Sequence, residues 1–280
     1  MKKSYIYIIS FFTGLCLLLN GFQTGFALPS DTIDPQAIMD AVDQQPDGDR
    51  SVSRLMMKIQ DKDGRERVRV VSSKSIKFKE GTKQLMRFES PADIRGTGML
   101  SIDYDDGNQD DDQWLFLPSL HKSTRISSGE KSGSFMGTDL SFSDMTKADP
   151  KQYSYKMLKS SVKVKLDGQT EECWLIESRP STAKAKKETG YLKSHVWVSK
   201  DKLLPIQIKS WVREGKKLKY IQFKEVKKVD GLWTPHMIIA RTKKGKTTES
   251  TTILHFTEMA YNQSSVTESL FTQSQLEQGI

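Results

Sequence analysis

Hydrophobic and polar residues alternate with a period of two along most of the chain beyond residue 50. Leu55, Met57 and Ile59 fall on one side of such a stretch, while Arg54 and Lys58 fall on the other. A period of two is typical of a β-strand with one buried face, because successive side chains point to opposite sides of a sheet. The alternation therefore predicts a protein built mainly of β-strands.

Turn signals separate the alternating stretches. Asp63-Gly64, Asp167-Gly168 and Asp230-Gly231 each stand between two of them, and Asp-Gly favours the tight turn of an antiparallel hairpin. We expect about eleven strands that follow one another as antiparallel hairpins. A sheet of this kind curves strongly, so the predicted fold is mainly β, a half-open antiparallel β-barrel with a few short helices or loops as its lid.

Helical signals are few. Asp34 and Pro35 are typical of the start of a helix. Further helical segments are predicted at residues 141–146 and at the C-terminal end. The charged run at residues 184–188 is interpreted as the tip of a long hairpin, so no linker divides the chain, and residues 28–280 are predicted to form a single domain.

The N-terminus has the pattern of an export signal. Lys2 and Lys3 precede an apolar stretch at residues 6–19, and Gly25 and Ala27 supply the small residues of a cleavage site. We expect a signal peptide at residues 1–27 and a periplasmic product, with an uncleaved membrane anchor as the alternative. A mean hydropathy of −0.55 excludes a protein with several membrane spans.

Removal of the signal changes both the charge and the thiol content. Losing two lysines lowers the formal net charge from +8 to +6, and Cys173 becomes the only remaining cysteine. We expect Cys173 to be a buried core residue of a strand rather than a reactive thiol. Export also removes nucleic acid as a partner of the basic chain, which leaves anionic lipid or an acidic protein surface.

Catalytic and nucleotide-binding motifs are missing from the sequence. The four histidines are scattered, and neither a zinc-protease pair nor a nucleophile elbow nor a phosphate-binding glycine loop occurs. We therefore expect no enzyme, no cofactor and no metal site of these classes. The aspartate-rich segment at residues 103–112 is interpreted as a solvated hairpin loop, with a calcium site as the alternative.

A loop at residues 132–139 carries apolar side chains among glycines and serines. Phe135 and Met136 lie between Gly133 and Gly137, and Phe142 follows shortly after. Solvent-exposed loops rarely carry such side chains. Two interpretations stay open, a loop tucked under the edge of the sheet and a lid over an apolar cavity. A lid should tolerate polar replacement of Phe135 and Met136 with little loss of stability.

Three segments resemble one known family. Residues 88–98, 111–118 and 132–140 are similar to segments of LolA-like outer-membrane lipoprotein-sorting proteins, especially the branch found beside RND- or MMPL-type exporters. The resemblance implies an incomplete β-barrel that encloses acyl chains. It also implies a periplasmic carrier of a lipoprotein or lipid that works towards the outer membrane with an RND- or MMPL-type transporter. The chain is longer and more basic than the founding lipoprotein carrier of the family, so the resemblance does not decide the identity of the cargo.

Strand parity then supplies candidate binding residues. The predicted lipid-binding cavity residues are Leu55, Met57, Ile59, Val68, Val70, Met86, Phe88, Leu100 and Ile102. The predicted lid residues are Phe135, Met136 and Phe142. Basic hairpin tips at residues 216–217, 227–228 and 241–246 are expected to face an acidic partner or anionic head groups. Two alternatives to a carrier stay open, an envelope lipid sensor or adaptor and a docking accessory of a transporter that binds no lipid.

We predict cleavage after Ala27. N-terminal sequencing of the protein isolated from the bacterial envelope should start at Leu28. Recovery of intact Met1 in the inner-membrane fraction would instead make the protein an anchored accessory.

Overall fold

One antiparallel sheet forms the body of the molecule. The computed structural model describes residues 28–278, and the signal peptide predicted at residues 1–27 lies outside them. The sheet has thirteen strands. Their bounds are β1 Arg50–Asp61, β2 Glu66–Phe78, β3 Gly81–Ser90, β4 Gly98–Tyr104, β5 Asp112–Leu117, β6 Lys122–Arg125, β7 Tyr153–Leu166, β8 Gln169–Pro180, β9 Tyr191–Ser199, β10 Pro205–Val212, β11 Lys217–Val229, β12 Leu232–Lys244 and β13 Thr247–Tyr261.

The strand order follows the chain in two runs. Strands β1 to β6 form one run and β7 to β13 the other, and the pairing of β1 with β13 joins them. Strands β6 and β7 are the two edges, so the strongly curved sheet is not closed. This confirms the predicted fold class. The prediction missed β6, whose sequence Lys-Ser-Thr-Arg has no apolar residue and therefore no alternation.

Within residues 28–278, three α-helices accompany the sheet. Helix α1, Pro35–Asp43, begins where predicted, with the Asp34 side chain accepting a hydrogen bond from the backbone of Gln36. Helix α2, Ala183–Thr189, replaces the predicted hairpin tip at residues 184–188 and lies between β8 and β9. Lysine, alanine and glutamate are good helix formers, which explains the difference. Helix α3, Gln273–Gln278, and 3-10 turns complete the set, one of them at Phe142–Met145 in the predicted helical stretch.

The inner face of the sheet carries the main hydrophobic core. Leu55, Met57, Ile59, Val71 and Met86 contribute to it from the first three strands. Strands β11 to β13 complete it from the other run. On the second half of the sheet, the buried side chains of β8 and β9 pack against α1.

The C-terminal segment covers part of the outer face. Val266, Phe271 and Leu276 pack against Leu100 and Phe116 of β4 and β5. The outer side of these strands is therefore as buried as the inner side. Cys173 lies in a small cluster of its own, fully buried, and burial raises the pKa of its thiol to about 12. Its placement agrees with the predicted core role.

The structure corrects the predicted face of β2. Val68 is 47% exposed, whereas Val71 is fully buried in the inner core. Val68 and Val70 therefore point outward, one residue out of register with the prediction. The inner face of β2 carries the polar residues Arg69 and Ser73. The alternation of polar and apolar residues along this strand therefore indicates the wrong face as the buried one.

The predicted face of β4 is corrected as well. Met99 lies in the inner core, and Leu100 lies in the outer cluster under the C-terminal segment. Ile102 shares the face of Leu100, because side chains on one strand alternate. The inner face of β4 carries polar Ser101 beside Met99, and the C-terminal segment buries the apolar outer face, so the alternation along this strand indicates the wrong side.

The loop predicted as a lid is a plug fixed at one end of the half-barrel. Phe135 is fully buried and packs between Phe88 and Phe142, with ring centroids 6.2 and 5.6 Å away. Arg69 donates a hydrogen bond of 2.6 Å to the Met136 carbonyl. Of the two interpretations, the geometry favours a loop packed into the sheet.

Hydrogen bonds from the far run of the sheet hold the same loop. The hydroxyls of Ser250 and Thr252 on β13 donate to the Asp139 carboxylate at 2.5 and 2.8 Å. The backbone N–H of Asp139 in turn donates to Thr252 at 2.9 Å. Both runs of the sheet therefore bind the plug.

We predict that Phe135→Ser lowers the free energy of unfolding by about 3 kcal/mol or more, because it empties a packed aromatic site and buries a hydroxyl. Urea denaturation measures the change. As a control, Leu192→Ser replaces a side chain that is 53% exposed and should cost less than about 0.5 kcal/mol. Near-normal stability of Phe135→Ser would restore the lid interpretation.

Candidate functional site

A largely apolar cavity lies on the inner face of the sheet. Its volume is about 560 Å³, within the range of small-molecule sites in proteins. Helix α1 and residues 140–150 cover it, and Met39, Val42 and Met145 point into it from these covering segments. The sheet supplies the remaining apolar wall, which comprises Leu55, Met86, Val196, Ile208, Ile221, Phe223, Ile238, Leu254 and Phe256.

The predicted cavity residues are only partly brought together. Leu55 and Met86 line the cavity, whereas Met57, Ile59 and Phe88 lie in the adjoining packed core. Val68, Val70, Leu100 and Ile102 do not line it, for the reasons of parity given above. The predicted lid residues Phe135, Met136 and Phe142 pack against the core beside it and do not line it either.

Sequence reasoning missed most of the wall. Strands β10 to β13 contribute Ile208, Ile221, Phe223, Ile238 and Leu254. The signal was available in their alternation, because Ile221 and Phe223 share one face while Tyr220 and Gln222 occupy the other. The residues predicted from strand parity all lie on β1 to β4.

A buried charge network closes one side of the cavity. Lys219 of β11 donates to the Asp144 carboxylate at 2.8 Å and to the Tyr191 hydroxyl at 2.7 Å, and that hydroxyl donates to Asp144 at 2.8 Å. Burial would raise the pKa of Asp144, but Lys219 beside it holds the pKa below its usual value. Burial and the neighbouring Asp144 carboxylate raise the pKa of Tyr191 well above 10. The Lys219 ammonium and the Asp144 carboxylate therefore form an ion pair, and this wall of the cavity carries no net charge.

An acidic hollow adjoins the cavity at the opposite end from the plug. It measures about 1020 Å³, and Asp43, Lys147, Ala148 and Pro150 line both spaces. Eight aspartates and three lysines line this hollow: Asp40, Asp43, Asp47, Asp49, Asp103, Asp105, Asp149, Asp230, Lys77, Lys147 and Lys151. Two of the lysines pair with aspartates, at 2.6 and 2.9 Å. The mouth of the cavity is thus acidic on a chain whose net charge is positive.

Asp103 is the most strongly perturbed carboxyl group of the mouth. Burial, and next the neighbouring Asp111, raise its pKa to about 7, although its Oδ2 atom accepts a 2.7 Å hydrogen bond from the Lys147 backbone. The folded protein therefore binds a proton here more tightly than an unfolded chain does.

The aspartate-rich segment forms the hairpin loop between β4 and β5. Within residues 103–112, Asp106 accepts hydrogen bonds from Asn108, Asp112 pairs with Arg125, and Lys184 of α2 donates to the carbonyl of Gln109. Within residues 28–278, no group of three or more His, Cys, Asp or Glu residues could hold a metal ion. The same stretch has no helix with the length and apolar character needed to cross a membrane.

The predicted basic tips lie at two different ends. The turns at residues 216–217 and 241–246 connect β10 to β11 and β12 to β13, so they share the end that holds the plug. The tip at residues 227–228 precedes the Asp230 turn, which lines the acidic hollow. The basic tips therefore do not form one surface.

Comparisons with known proteins agree with this architecture. A family model described as an uncharacterized protein matches residues 80–278. A domain named for outer-membrane lipoprotein sorting, from Vibrio parahaemolyticus, is 27% identical with a TM-score of 0.75, and the match covers 87% of this chain and 98% of that one. No functionally curated protein matches the sequence.

Two further solved structures are similar. A DUF1329 family protein from Desulfovibrio piger is 29% identical with a TM-score of 0.74, covering 86% of this chain and 97% of its own. A LolA superfamily protein from Nitrosomonas europaea is 18% identical with a TM-score of 0.63, covering 87% and 99%, and supports the fold alone. The half-open barrel is thus a LolA-like fold.

We predict that Asp103→Asn stabilises the protein at alkaline pH. The wild-type protein loses stability as the pH rises from about 4 to about 7, because deprotonation of Asp103 is harder in the folded state. The neutral amide avoids that loss, so the variant should gain up to about 4 kcal/mol at pH 8 and little at pH 4. Urea denaturation at both pH values measures the difference.

The exposed neighbour Asp105 provides the matched control. Asp105→Asn should change the free energy of unfolding by less than about 0.5 kcal/mol at either pH. A gain for Asp103→Asn that is equal at pH 4 and pH 8 would contradict the assignment of the titration to Asp103.

Proposed function

We propose that this chain, a member of the DUF1329-like family of uncharacterized proteins, is a carrier. Its proposed cargo is lipid or the acyl chains of a lipoprotein, and the proposed role is not enzymatic. The observation that carries the proposal is the 560 Å³ apolar cavity on the inner face of a LolA-like half-barrel. The similarity to a lipoprotein-sorting domain supports the same class of cargo.

Burial of an acyl chain supplies the binding energy. Each methylene that leaves water contributes about 0.8 kcal/mol. The wall of the cavity provides branched aliphatic and aromatic surface from β10 to β13, and methionines from β3, α1 and the 3-10 turn at Phe142–Met145. Methionine side chains adapt to cargo of varying shape because they are unbranched and flexible. Such a site needs no catalytic group.

The proposed entrance is the acidic hollow between α1 and the ends of β1 to β4. Helix α1 covers the cavity with Met39 and Val42, while its Ile38 side chain packs on β8 and β9. Lys147 links the covering loop to α1 by donating to Asp43, whose carboxylate lies 2.9 Å away. Rearrangement of this exposed contact would open a path to the cavity without disturbing the plug.

The setting of the proposed carrier is the periplasm. The signal peptide expected at residues 1–27 supports export, and the resemblance to lipoprotein-sorting proteins supports transfer towards the outer membrane. An RND- or MMPL-type exporter of the inner membrane is the proposed partner, on the resemblance of residues 88–98, 111–118 and 132–140 alone.

We predict that filling the cavity abolishes binding of an apolar probe. N-phenyl-1-naphthylamine, which is uncharged and fluoresces in apolar sites, should bind the wild-type protein. Ile238→Trp places a larger side chain into the cavity wall and should weaken binding at least about tenfold, equivalent to about 1.4 kcal/mol. Fluorescence titration measures both affinities.

A surface substitution controls for the added indole. Leu192→Trp changes a residue that is 53% exposed and should leave probe binding unchanged. Thermal melting identifies variants that fail to fold, and Leu254→Ser tests the same wall by adding a polar group instead of volume. Equal probe binding by wild type, Ile238→Trp and Leu254→Ser would overturn the carrier proposal.

A further inference from the structure

Three neighbouring polar side chains face the cavity without a hydrogen-bond partner. Ser53, Ser73 and Gln84 line it from β1, β2 and β3, and none of their side chains is hydrogen-bonded to another residue in the range 28–278. Ser73 is 93% buried, with an exposed fraction of 7%. A buried polar group without a partner costs free energy unless a ligand or water satisfies it. The three side chains therefore form an unused hydrogen-bonding patch within an apolar wall.

The strand register brings the patch together. Ser53 and Ser73 are directly paired across β1 and β2, and Gln84 pairs with Ser75, two residues along the same face. Directly opposed side chains lie about 5 Å apart and diagonal ones about 7–8 Å. One ester, amide or hydroxyl group of a cargo molecule can therefore reach two of the three side chains at once.

On the opposite wall of the cavity, by contrast, two serine hydroxyls are hydrogen-bonded to each other. Ser194 and Ser210 are paired across β9 and β10, and their hydroxyls share a 2.7 Å hydrogen bond. These groups line the same space, yet their hydrogen-bonding capacity is largely used. The hydroxyls of Ser194 and Ser210 are thus less available to a cargo molecule than those of Ser53 and Ser73.

The charges around the cavity argue against an anionic group at the patch. Asp144 is paired with Lys219 at 2.8 Å, and Lys147 with Asp43 at 2.9 Å. No unpaired cation lines the cavity in the described part of the chain. A carboxylate or phosphate inside would lose its hydration without gaining a counter-ion, and it would have to pass the aspartates of the mouth.

We propose that the cargo carries an uncharged polar group, an ester, amide or hydroxyl, that hydrogen-bonds to Ser53, Ser73 and Gln84. The proposal rests on the proposed carrier function and narrows its cargo to neutral amphiphiles. Ser73 and Gln84 are its specificity-determining residues, while the apolar wall binds the chain of the cargo irrespective of its head group.

Two amphiphiles with the same chain test this assignment. Calorimetric titration at pH 8.5 compares monolaurin, an uncharged glycerol ester, with laurate, its anionic counterpart. The wild-type protein should bind monolaurin at least about tenfold more tightly. Ser73→Ala with Gln84→Ala should weaken monolaurin binding about tenfold, since each hydrogen bond contributes about 0.5–1.5 kcal/mol, and should leave laurate binding unchanged.

The matched control is Ser72→Ala, which removes the same hydroxyl from the outer face of the same strand and should leave both affinities unchanged. Laurate binding as tight as monolaurin binding would overturn the proposal, and so would an unchanged affinity ratio in a double variant that melts like wild type. If neither amphiphile binds, the carrier function itself fails. Binding of both with no preference leaves the carrier function standing and removes only the neutral-cargo assignment.

Discussion

The pairing of β1 with β13 is the interaction on which the rest of the structure depends. It runs from Ser51 opposite Tyr261 to Asp61 opposite Ser250 and joins two runs of strands that otherwise only pair with their neighbours in sequence. Closing so long a loop is entropically costly, and the shared inner core offsets that cost. Leu55 and Leu254, on the two joined strands, meet in this core and also form the wall of the cavity. Folding and the proposed binding of cargo therefore depend on the same pair of strands.

The plug loop explains why the half-barrel contains both a packed core and a cavity. Phe135 fills one end between the two runs, and Asp139 hydrogen-bonds to β13. The next residues, through Met145, cover the space that the plug leaves open, and Asp144 fixes them to Lys219. One continuous segment thus divides the interior into a closed part and an open part. A bulky apolar residue in a glycine-rich loop is consistent with this role as well as with a lid, and only the contacts distinguish them.

Much of the fold could be predicted from the sequence because alternation is strong wherever one face of a strand meets water. Strands β1, β11 and β13 are such cases. The prediction failed where that contrast is lost. On β2 the inner face is polar at Arg69 and Ser73, and on β4 the C-terminal segment buries the outer face at Leu100. The prediction of the site was the least complete part, because only the strand register shows that Ser73 and Gln84 lie close together on one face.

The open edges of the sheet give the molecule a mechanical property that a closed barrel lacks. Strands β6 and β7 end the sheet without pairing to each other. A closed barrel changes its radius only by altering strand number or shear. An open sheet can widen by small changes of twist distributed over thirteen strands, with every ladder intact. An open sheet can therefore adjust its interior volume without breaking strand pairs, and this would let the proposed carrier enclose cargoes of different girth.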